Sequence, residues 1–187
     1  RLVAEHVVRA AADGAQVLTG GCLELSGGGL PYAPFAEAFR SLRPNELPAF
    51  AADLPELGML VPELSALRPP EAALPPGADP MLQQGRLLVG VRALIERLAD
   101  TRSVELVLED LHWADASTRD LLTYLVNTVE QPGLLILGTY RSDELHRRHP
   151  FRPMLAELVR SARVRHHVLE PLTDPSTRNL AAELIGP

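Results

Sequence analysis

The sequence contains no lysine, and all 18 of its basic residues are arginine. A loop of the type G-x-x-x-x-G-K-[ST], which binds the phosphates of a nucleotide, ends in a lysine that reaches those phosphates. No segment of the 187 residues has this pattern. The glycine-rich run Ser26 to Gly29 lacks both the lysine and a helix start, and it indicates a turn. These residues therefore cannot form a complete phosphate-binding loop of this type.

Cysteine and aromatic residues are also scarce. The single cysteine, Cys22, excludes an internal disulfide and is typical of a reducing compartment, and we expect it to be a small buried hydrophobic residue. Only 4% of the residues are aromatic whereas 46% are hydrophobic, so the core must consist mainly of Leu, Val, Ala and Ile. No apolar run approaches the ~18 residues of a membrane span, and no signal peptide is recognisable. We predict a cytoplasmic protein with no membrane partner.

Acidic residues outnumber basic residues by 24 to 18, which gives a formal net charge of −6. Binding to nucleic-acid phosphates requires a concentrated positive surface, whereas the arginines here are scattered among acids. We therefore expect any contact with DNA to come only from a domain outside this chain.

Short apolar segments alternate with amphipathic segments along most of the chain. This alternation is typical of right-handed crossovers between parallel strands. The predicted fold is a three-layer α/β domain, with helices on both faces of a parallel sheet. The predicted strands are 15–25, 104–108, 134–140 and 165–169. The predicted helices are 1–12, 34–42, 81–98, 117–129, 151–158 and 175–185.

The segment from about 43 to 80 differs from the rest because it contains more than half of the 17 prolines. Proline interrupts both helices and strand ladders. We predict short helical turns joined by loops, which form a Pro-rich helical insertion at the edge of one domain spanning 1–187. The simplest interpretation of this insertion is an adaptable surface segment without chemistry.

Polar residues follow three of the predicted strands, at the positions where an open parallel sheet binds its ligands. Glu109 and Asp110 follow one strand, Arg141 follows the next, and Glu170 with Pro171 follows the last. Two adjacent carboxylates repel each other unless a cation lies between them, and Mg²⁺ bound to a triphosphate supplies such a cation. A neighbouring arginine would then stabilise charge on the γ-phosphate. The pattern predicts a nucleotide site at this edge of the sheet.

These residues also have plainer interpretations. The two acids could cap the following helix, although Asp115 and the residues after it already predict that cap. For Arg141, a surface ion pair with Asp143 or Glu144 is nearly as well supported. Trp113 is expected to pack against helices and not to stack on a base. The six histidines do not predict a metal site, because no cysteine or carboxylate cluster completes a tetrahedral set.

Three stretches resemble the ATPase domain of the large LuxR-type bacterial transcription regulators, which belongs to the STAND branch of the AAA-like P-loop ATPases. They are LVLEDLHWAD at 106–115, LLILGTYRSDEL at 134–145 and HHVLEPLTDPSTRNLAAELIG from His166. The likeness extends over nearly the whole chain and is most specific over 106–145. It implies a P-loop NTPase-like fold that lacks the family's first strand and phosphate loop, so that 1–187 is a truncated ATPase-like core.

The resemblance also implies roles for four residues. Glu109 would hold Mg²⁺, and Asp110 would be the catalytic acid that polarises the attacking water. Arg141 would occupy the sensor position that contacts the nucleotide, and Pro171 would approach the nucleotide from the lid side. The more usual order in the family places Asp before Glu, and this order is reversed here.

The implied cofactors are ATP or ADP with Mg²⁺ in the full-length protein, and the implied function is a nucleotide switch in a multidomain bacterial transcriptional or signalling regulator. Its partners would be the nucleotide, other domains of the same polypeptide and, on activation, further copies of the chain. The lid and a helix-turn-helix would lie beyond Pro187. We expect this chain alone to bind nucleotide weakly or not at all and to be inactive as an ATPase. The alternative is a degenerate P-loop-like scaffold used for protein–protein interaction without nucleotide.

Overall fold

The computed structural model describes residues 1–25, 29–42, 47–67 and 79–185, so most of the predicted turn at 26–29 and parts of the insertion lie outside the described residues. The strands are β1 (Gln16–Gly21), β2 (Val104–Glu109) and β3 (Leu134–Gly138). The α-helices are α1 (Leu2–Ala12), α2 (Ala33–Arg40), α3 (Leu47–Asp53), α4 (Pro62–Leu67), α5 (Pro80–Ala99), α6 (Ala116–Thr128), α7 (Phe151–Leu158) and α8 (Asp174–Ile185). Two 3-10 helices cover Pro55–Met59 and Leu111–Trp113.

The three strands form one parallel sheet in the order β1-β2-β3. Val104 of β2 pairs with Gln16 on one side and with Leu134 on the other, so the three strands start level. Parallel neighbours need a crossover connection, and helices supply it in both connections. The predicted α/β class with a parallel sheet is confirmed.

Alternate residues of β2 face different helical layers, as expected from the two-residue period of a strand. Leu106 and Leu108 are fully buried in the hydrophobic core. This core includes side chains of α2, α5 and α6, among them Phe35, Phe39, Leu94, Ile95, Leu121 and Leu125. On the opposite face, Glu105 Oε2 lies 2.7 Å from His6 Nε2 of α1. Helices therefore cover both faces of the sheet.

Close packing of α2 on β1 depends on Gly20. A Cβ atom at this position would lie 1.8 Å from the carbonyl oxygen of Pro34 in α2. Pro34 lies in the first turn of that helix, where a missing N–H costs no intrahelical hydrogen bond. Because glycine has no Cβ, the backbone of β1 can lie closer to the backbone of α2 than any other residue at position 20 would allow.

The start of α6 is fixed by side chains. The Asp115 carboxylate accepts hydrogen bonds from the backbone N–H groups of Ser117 (2.8 Å) and Thr118 (3.1 Å), which confirms the predicted cap. The hydroxyl of the buried Thr118 accepts a further hydrogen bond from the backbone N–H of Tyr32 (3.1 Å), the residue before α2. The cap thus joins the beginnings of two helices that cover the same face.

The longest described helix, α5, has 20 residues and is capped by the preceding Asp79, whose carboxylate accepts a hydrogen bond from Met81 N–H (2.8 Å). Its buried face consists of Leu87, Gly90, Val91, Leu94, Ile95 and Leu98. None of the described helices is both long enough and apolar enough to span a membrane.

The described parts of the proline-rich segment form α3, the 3-10 helix Pro55–Met59 and α4. Their buried residues include Phe50, Ala51, Leu54, Leu57, Val61 and Leu64. These side chains belong to the same hydrophobic cluster as the sheet and α5. The segment therefore contributes to the core as well as to the surface of the domain.

The predicted strand at 165–169 is wrong. Residues 164–173 form neither helix nor strand, and Val168 and Leu169 are 73% and 74% exposed. A strand requires a neighbour with which to form a hydrogen-bonded ladder, and among the described residues β3 pairs with β2 only. The sheet strands β1 and β3 also end earlier than predicted, at Gly21 and Gly138, because the chain turns there into loops.

Candidate functional site

Glu109 and Asp110 lie where β2 leaves the sheet. Glu109 is the last residue of the strand and is half-buried, whereas Asp110 is exposed. Asp110 has a left-handed backbone conformation, with φ 56° and ψ 42°. Most residues avoid this conformation, although Asp and Asn tolerate it better than others. The kink separates the Asp110 side chain from the ladder and leads the chain directly into the 3-10 helix Leu111–Trp113.

Thr139, the residue after β3, holds this kink with three hydrogen bonds. Its backbone N–H donates to the carbonyl oxygen of Leu108 (2.9 Å). Its hydroxyl accepts from the backbone N–H of Asp110 (3.2 Å), and its carbonyl oxygen accepts from the N–H of Leu111 (2.8 Å). These three hydrogen bonds therefore join the loop after β2 to the loop after β3 at this edge of the sheet.

The two carboxylates at the end of β2 are free of the contacts that would give them a purely structural role. Within the described ranges, neither Glu109 nor Asp110 forms an ion pair. The N-terminus of α6 is capped by Asp115 and not by either of them. Mg²⁺ on a nucleotide is usually held by one or two carboxylates together with phosphate oxygens, and this acid pair fits that chemistry. No group of three or more His, Cys, Asp and Glu side chains in the described part of the chain could hold a metal ion by itself.

Arg141 follows the same edge of the sheet, but its guanidinium has acidic partners of its own. Nη2 lies 3.1 Å from Asp143 Oδ2, and Nη1 lies 2.8 Å from Glu144 Oε1. The surface ion pair that the sequence left open as an alternative is therefore present, with both acids. The arginine side chain is 61% exposed, so exchange of these partners for another anion needs no unfolding.

His112, in the loop after β2, is buried and contacts the loop after β3. Its Nδ1 accepts a hydrogen bond from the backbone N–H of Arg141 (3.3 Å), and its Nε2 lies 3.0 Å from Glu144 Oε2. The second contact has the distance of an ion pair but not the alignment of a hydrogen bond. The neighbouring Trp113 is half-buried, packs against the core and has its ring centroid 5.0 Å from that of His112. Trp113 is thus placed as the packing residue that the sequence predicts.

Cys22, the residue after β1, is hydrogen-bonded through its backbone to Glu109 of the acid pair. Its backbone N–H donates to the carbonyl oxygen of Glu109 (2.9 Å), and its side chain is buried as predicted. Burial raises the pKa of the Cys22 thiol to about 12, and the negative charges of Asp115 and Asp110 act in the same direction. The thiol is therefore a packing group and not a nucleophile.

Pro171 is not brought next to the carboxylates by any described contact. It is exposed in the segment 164–173, which lacks regular structure. This segment is joined to the site loops through His166, whose Nε2 lies 2.7 Å from the hydroxyl of Tyr140, with the two rings stacked at 6.0 Å. Tyr140 lies between Thr139 and Arg141, so the C-terminal segment meets the end of β3 at this residue.

Sequence reasoning missed the residues that connect the two loops. Thr139 and His112 lie in motifs that the resemblance covers, yet no role follows from their spacing alone, and Glu144 was predicted only as a possible ion-pair partner of Arg141. The available signal was the placement of a hydroxyl two residues before Arg141 and an imidazole two residues after Asp110, at the ends of adjacent parallel strands.

A parallel α/β domain with an acid pair at the carboxyl end of its middle strand has the fold of the P-loop NTPase-like class. Residues 1–137 match the family model of the AAA ATPase domain, and the chain belongs to this family. The matched residues include Glu109 and Asp110 and end before Arg141 and Pro171. None of the curated proteins and none of the solved structures compared with the chain matches it.

Proposed function

We propose that the chain is the nucleotide-binding switch core of a multidomain bacterial regulator of the LuxR type, within the STAND branch of AAA ATPases. The single observation that carries this proposal is the unpaired acid pair at the carboxyl end of β2, where the backbone of Asp110 is fixed by Thr139. Membership of the AAA ATPase family supports the binding of a nucleotide. The regulatory role rests on the resemblance of the motifs around 106–145.

In this proposal, each acid has its own task. Glu109, half-buried at the end of the strand, would hold Mg²⁺ with the phosphate oxygens of ATP or ADP. Bound Mg²⁺ would supply positive charge that neutralises the transferring phosphate group. Asp110, exposed at the kink, would polarise the water that attacks this group. A fixed backbone supports that role because general-base catalysis requires a carboxylate within hydrogen-bond reach of its water.

Arg141 and Pro171 would complete the site from other segments. Arg141 would leave Asp143 and Glu144 to contact the γ-phosphate, whose greater negative charge attracts a guanidinium more strongly than a single carboxylate does. Pro171 would approach the nucleotide from the lid side, in a segment that meets the site through His166 and Tyr140.

Nucleotide binding by these 187 residues alone would be weak or absent, since they contain neither a lysine nor a phosphate-binding loop. We propose that other parts of the same polypeptide supply this loop. The outer edge of β3 supports this, because within the described residues it carries no paired strand. The remaining proposed partners are the other domains of the regulator, DNA through one of those domains and, on activation, further copies of the chain. The proposed location is the cytoplasm.

A second candidate is a scaffold with this fold that contacts proteins and uses no nucleotide. The absence of lysine and the occupation of Arg141 by two acids favour it. The coding sequence upstream of Arg1 distinguishes the two. A glycine-rich loop ending in Lys-Ser or Lys-Thr supports the switch, and an intact gene without such a loop supports the scaffold.

The test measures ATP affinity and turnover of the full gene product, with and without Mg²⁺. We expect Glu109→Gln to abolish most of the gain in affinity from Mg²⁺, because it removes a charged ligand. Asp110→Asn should leave affinity nearly unchanged and lower turnover by roughly 100-fold or more, the contribution of a positioned base. Asp53→Asn, which removes a surface carboxylate paired with Arg97, is the control and should change neither quantity. If the two site variants behave like this control, the assigned roles are wrong.

A further inference from the structure

His112 ties the loop after β2 to the loop after β3. Because its Nδ1 accepts the backbone N–H of Arg141, the hydrogen of the neutral ring is assigned to Nε2. That nitrogen faces Glu144 Oε2 at 3.0 Å. The His112 side chain is only 1% exposed, so water does not compete for either contact. A buried imidazole therefore faces one oxygen of a carboxylate on the neighbouring loop.

Glu144 uses its other oxygen on Arg141. Oε1 lies 2.8 Å from Arg141 Nη1, opposite the side that faces His112. The Glu144 side chain is 27% exposed, whereas Asp143, the second partner of the arginine, is 69% exposed. Ion pairs that are partly shielded from water are screened less than exposed pairs. Glu144 is therefore the acid that determines where the guanidinium lies.

The contact between His112 and Glu144 is close but incomplete. Both Nε2 and Oε2 are buried, and neither has a hydrogen-bond partner among the described residues. Buried polar groups without hydrogen bonds are unfavourable. If Arg141 leaves, a rotation of Glu144 toward His112 can align the missing hydrogen bond and offset part of the loss of the ion pair. The carboxylate thus has two arrangements that differ in whether Arg141 is held.

We propose that Glu144, anchored by His112, is a positioning residue that holds Arg141 away from the nucleotide and releases it when a γ-phosphate is present. This inference rests on the proposed function. The third phosphate of ATP competes with Glu144 for the guanidinium, whereas ADP lacks that phosphate. The discrimination between ATP and ADP should therefore depend on Glu144, although Glu144 itself contacts neither nucleotide.

The first experiment tests the hold on Arg141 in the chain without nucleotide. Phenylglyoxal reacts with the uncharged guanidine, and mass spectrometry locates the modified arginine. Because the ion pair with Glu144 occupies and shields the guanidinium, Glu144→Gln should speed the modification of Arg141 about threefold or more, the effect of losing a partly buried ion pair. Asp143→Asn is the matched control, since it removes the more exposed partner, and it should change the rate less than about twofold. Equal rates in the two variants would show that Glu144 does not bind the Arg141 guanidinium more strongly than Asp143 does.

Two histidine variants separate the contacts of the ring. His112→Gln places an amide N–H near the position of Nε2, so it keeps a donor for Glu144 and loses the acceptor for Arg141 N–H. His112→Asn places an amide oxygen near Nδ1 and has the opposite effect. We expect the Gln variant to resemble the wild type in modification of Arg141, and the Asn variant to be modified more slowly than the wild type, because a Glu144 that releases Arg141 then finds no donor. Thermal unfolding of each variant reports whether the fold is kept, and the reverse order of the two variants would overturn the anchoring role of His112.

The second experiment measures ATP and ADP affinity in the full gene product with Mg²⁺. We expect Glu144→Gln to tighten ATP binding about threefold or more and to change ADP binding less than about twofold. If the wild type binds ATP but Glu144→Gln shifts both nucleotides equally, the inference fails and the proposed function stands. If the wild type and Glu144→Gln bind no ATP, both are overturned.

Discussion

The hydroxyl of Thr139, after β3, accepts a hydrogen bond from the backbone N–H of Asp110, after β2, at 3.2 Å. The backbone conformation of the proposed catalytic acid is thus fixed by a residue 29 positions later in the chain. The bond joins two loops at the same edge of the sheet, and it depends on an oxygen atom rather than on side-chain volume.

Replacing this hydroxyl should loosen the kink at Asp110. We expect Thr139→Val, which keeps the shape, to lower the free energy of unfolding by about 1 kcal/mol, because a backbone N–H loses its acceptor. Thr139→Ser keeps the oxygen and should cost clearly less. Denaturant unfolding followed by circular dichroism measures both. Equal losses in the two variants would mean that the methyl group matters and the hydrogen bond does not.

Gly20 and Gly85 should respond in opposite ways to alanine. At Gly20 the new Cβ would overlap the Pro34 carbonyl group, so we expect Gly20→Ala to lower the free energy of unfolding by more than about 3 kcal/mol. At Gly85, within α5, no atom apart from the neighbouring backbone of the helix itself lies within 4 Å of the added Cβ, and Gly85→Ala should raise the free energy of unfolding by roughly 0.5–1 kcal/mol. Thermal or denaturant unfolding of both variants decides the matter. A Gly20→Ala protein as stable as the wild type would contradict the backbone contact.

The Asp115 cap offers a test at the start of α6. Asp115→Ala removes the acceptor of two backbone N–H groups and should lower the free energy of unfolding by about 1 kcal/mol, whereas Asp115→Asn should retain most of it. Asp120→Ala removes a carboxylate from the same helix without removing a cap, and it serves as the control. The prediction is wrong if the Asp115→Ala and Asp120→Ala variants unfold at the same denaturant concentration.

Cys22 should report unfolding through its reactivity. With a pKa of about 12, only about one thiol in 10⁴ is ionised at pH 8, and burial hinders access as well. We expect iodoacetamide to alkylate the native chain at least roughly 100-fold more slowly than the chain in guanidinium chloride. Because this is the single cysteine, the mass increase is unambiguous. Similar rates in the two conditions would show that the residue is not buried.

His149 should make the chain less stable in mild acid. Burial lowers its pKa, and the neighbouring His146, His112 and Arg119 act in the same direction against a smaller opposing effect of Glu144. The folded state therefore binds the proton less readily than the unfolded state. The contribution of His149 to the free energy of unfolding is complete above pH 6.5, the ordinary pKa of the group. It decreases as the pH falls below that value and stops decreasing below the lowered pKa of the folded state.

The measurement is the free energy of unfolding from neutral to mildly acidic pH, for the wild type and for His149→Asn. The His149 ring accepts the backbone N–H of Phe151 through Nδ1 (3.2 Å), and the asparagine oxygen can take over this contact. We expect the variant to lose less stability on acidification than the wild type. A steeper loss in the variant would reverse the sign that burial requires.

The fold and the acid pair were predictable because both depend on local pattern. The strand 104–108 is apolar apart from Glu105, so its burial follows from composition, and the acids directly after it must emerge at the carboxyl edge of a parallel sheet. The Asp115 cap follows from a side chain that can accept from the first free N–H groups of a helix. Each of these inferences requires only neighbouring residues.

The connections between loops could not be predicted in the same way. The contacts of Thr139 with Asp110 and of His112 with Arg141 depend on the register between β2 and β3, which the sequence does not state. The segment 165–169 was predicted as a strand but does not form one. Its composition suits a strand, but pattern alone cannot say whether a segment pairs with a strand of the sheet, and among the described residues β3 pairs with β2 only.

The left-handed backbone at position 110 has a bearing on the inverted order of the two acids. A short carboxylate side chain suits a residue at positive φ because it can bond to nearby main-chain groups, an option that a longer acid largely lacks. Restoring the more usual order, by Glu109→Asp combined with Asp110→Glu, would therefore add conformational strain where the chain bends. The left-handed backbone therefore favours aspartate at position 110, whereas the extended backbone at position 109 accommodates glutamate.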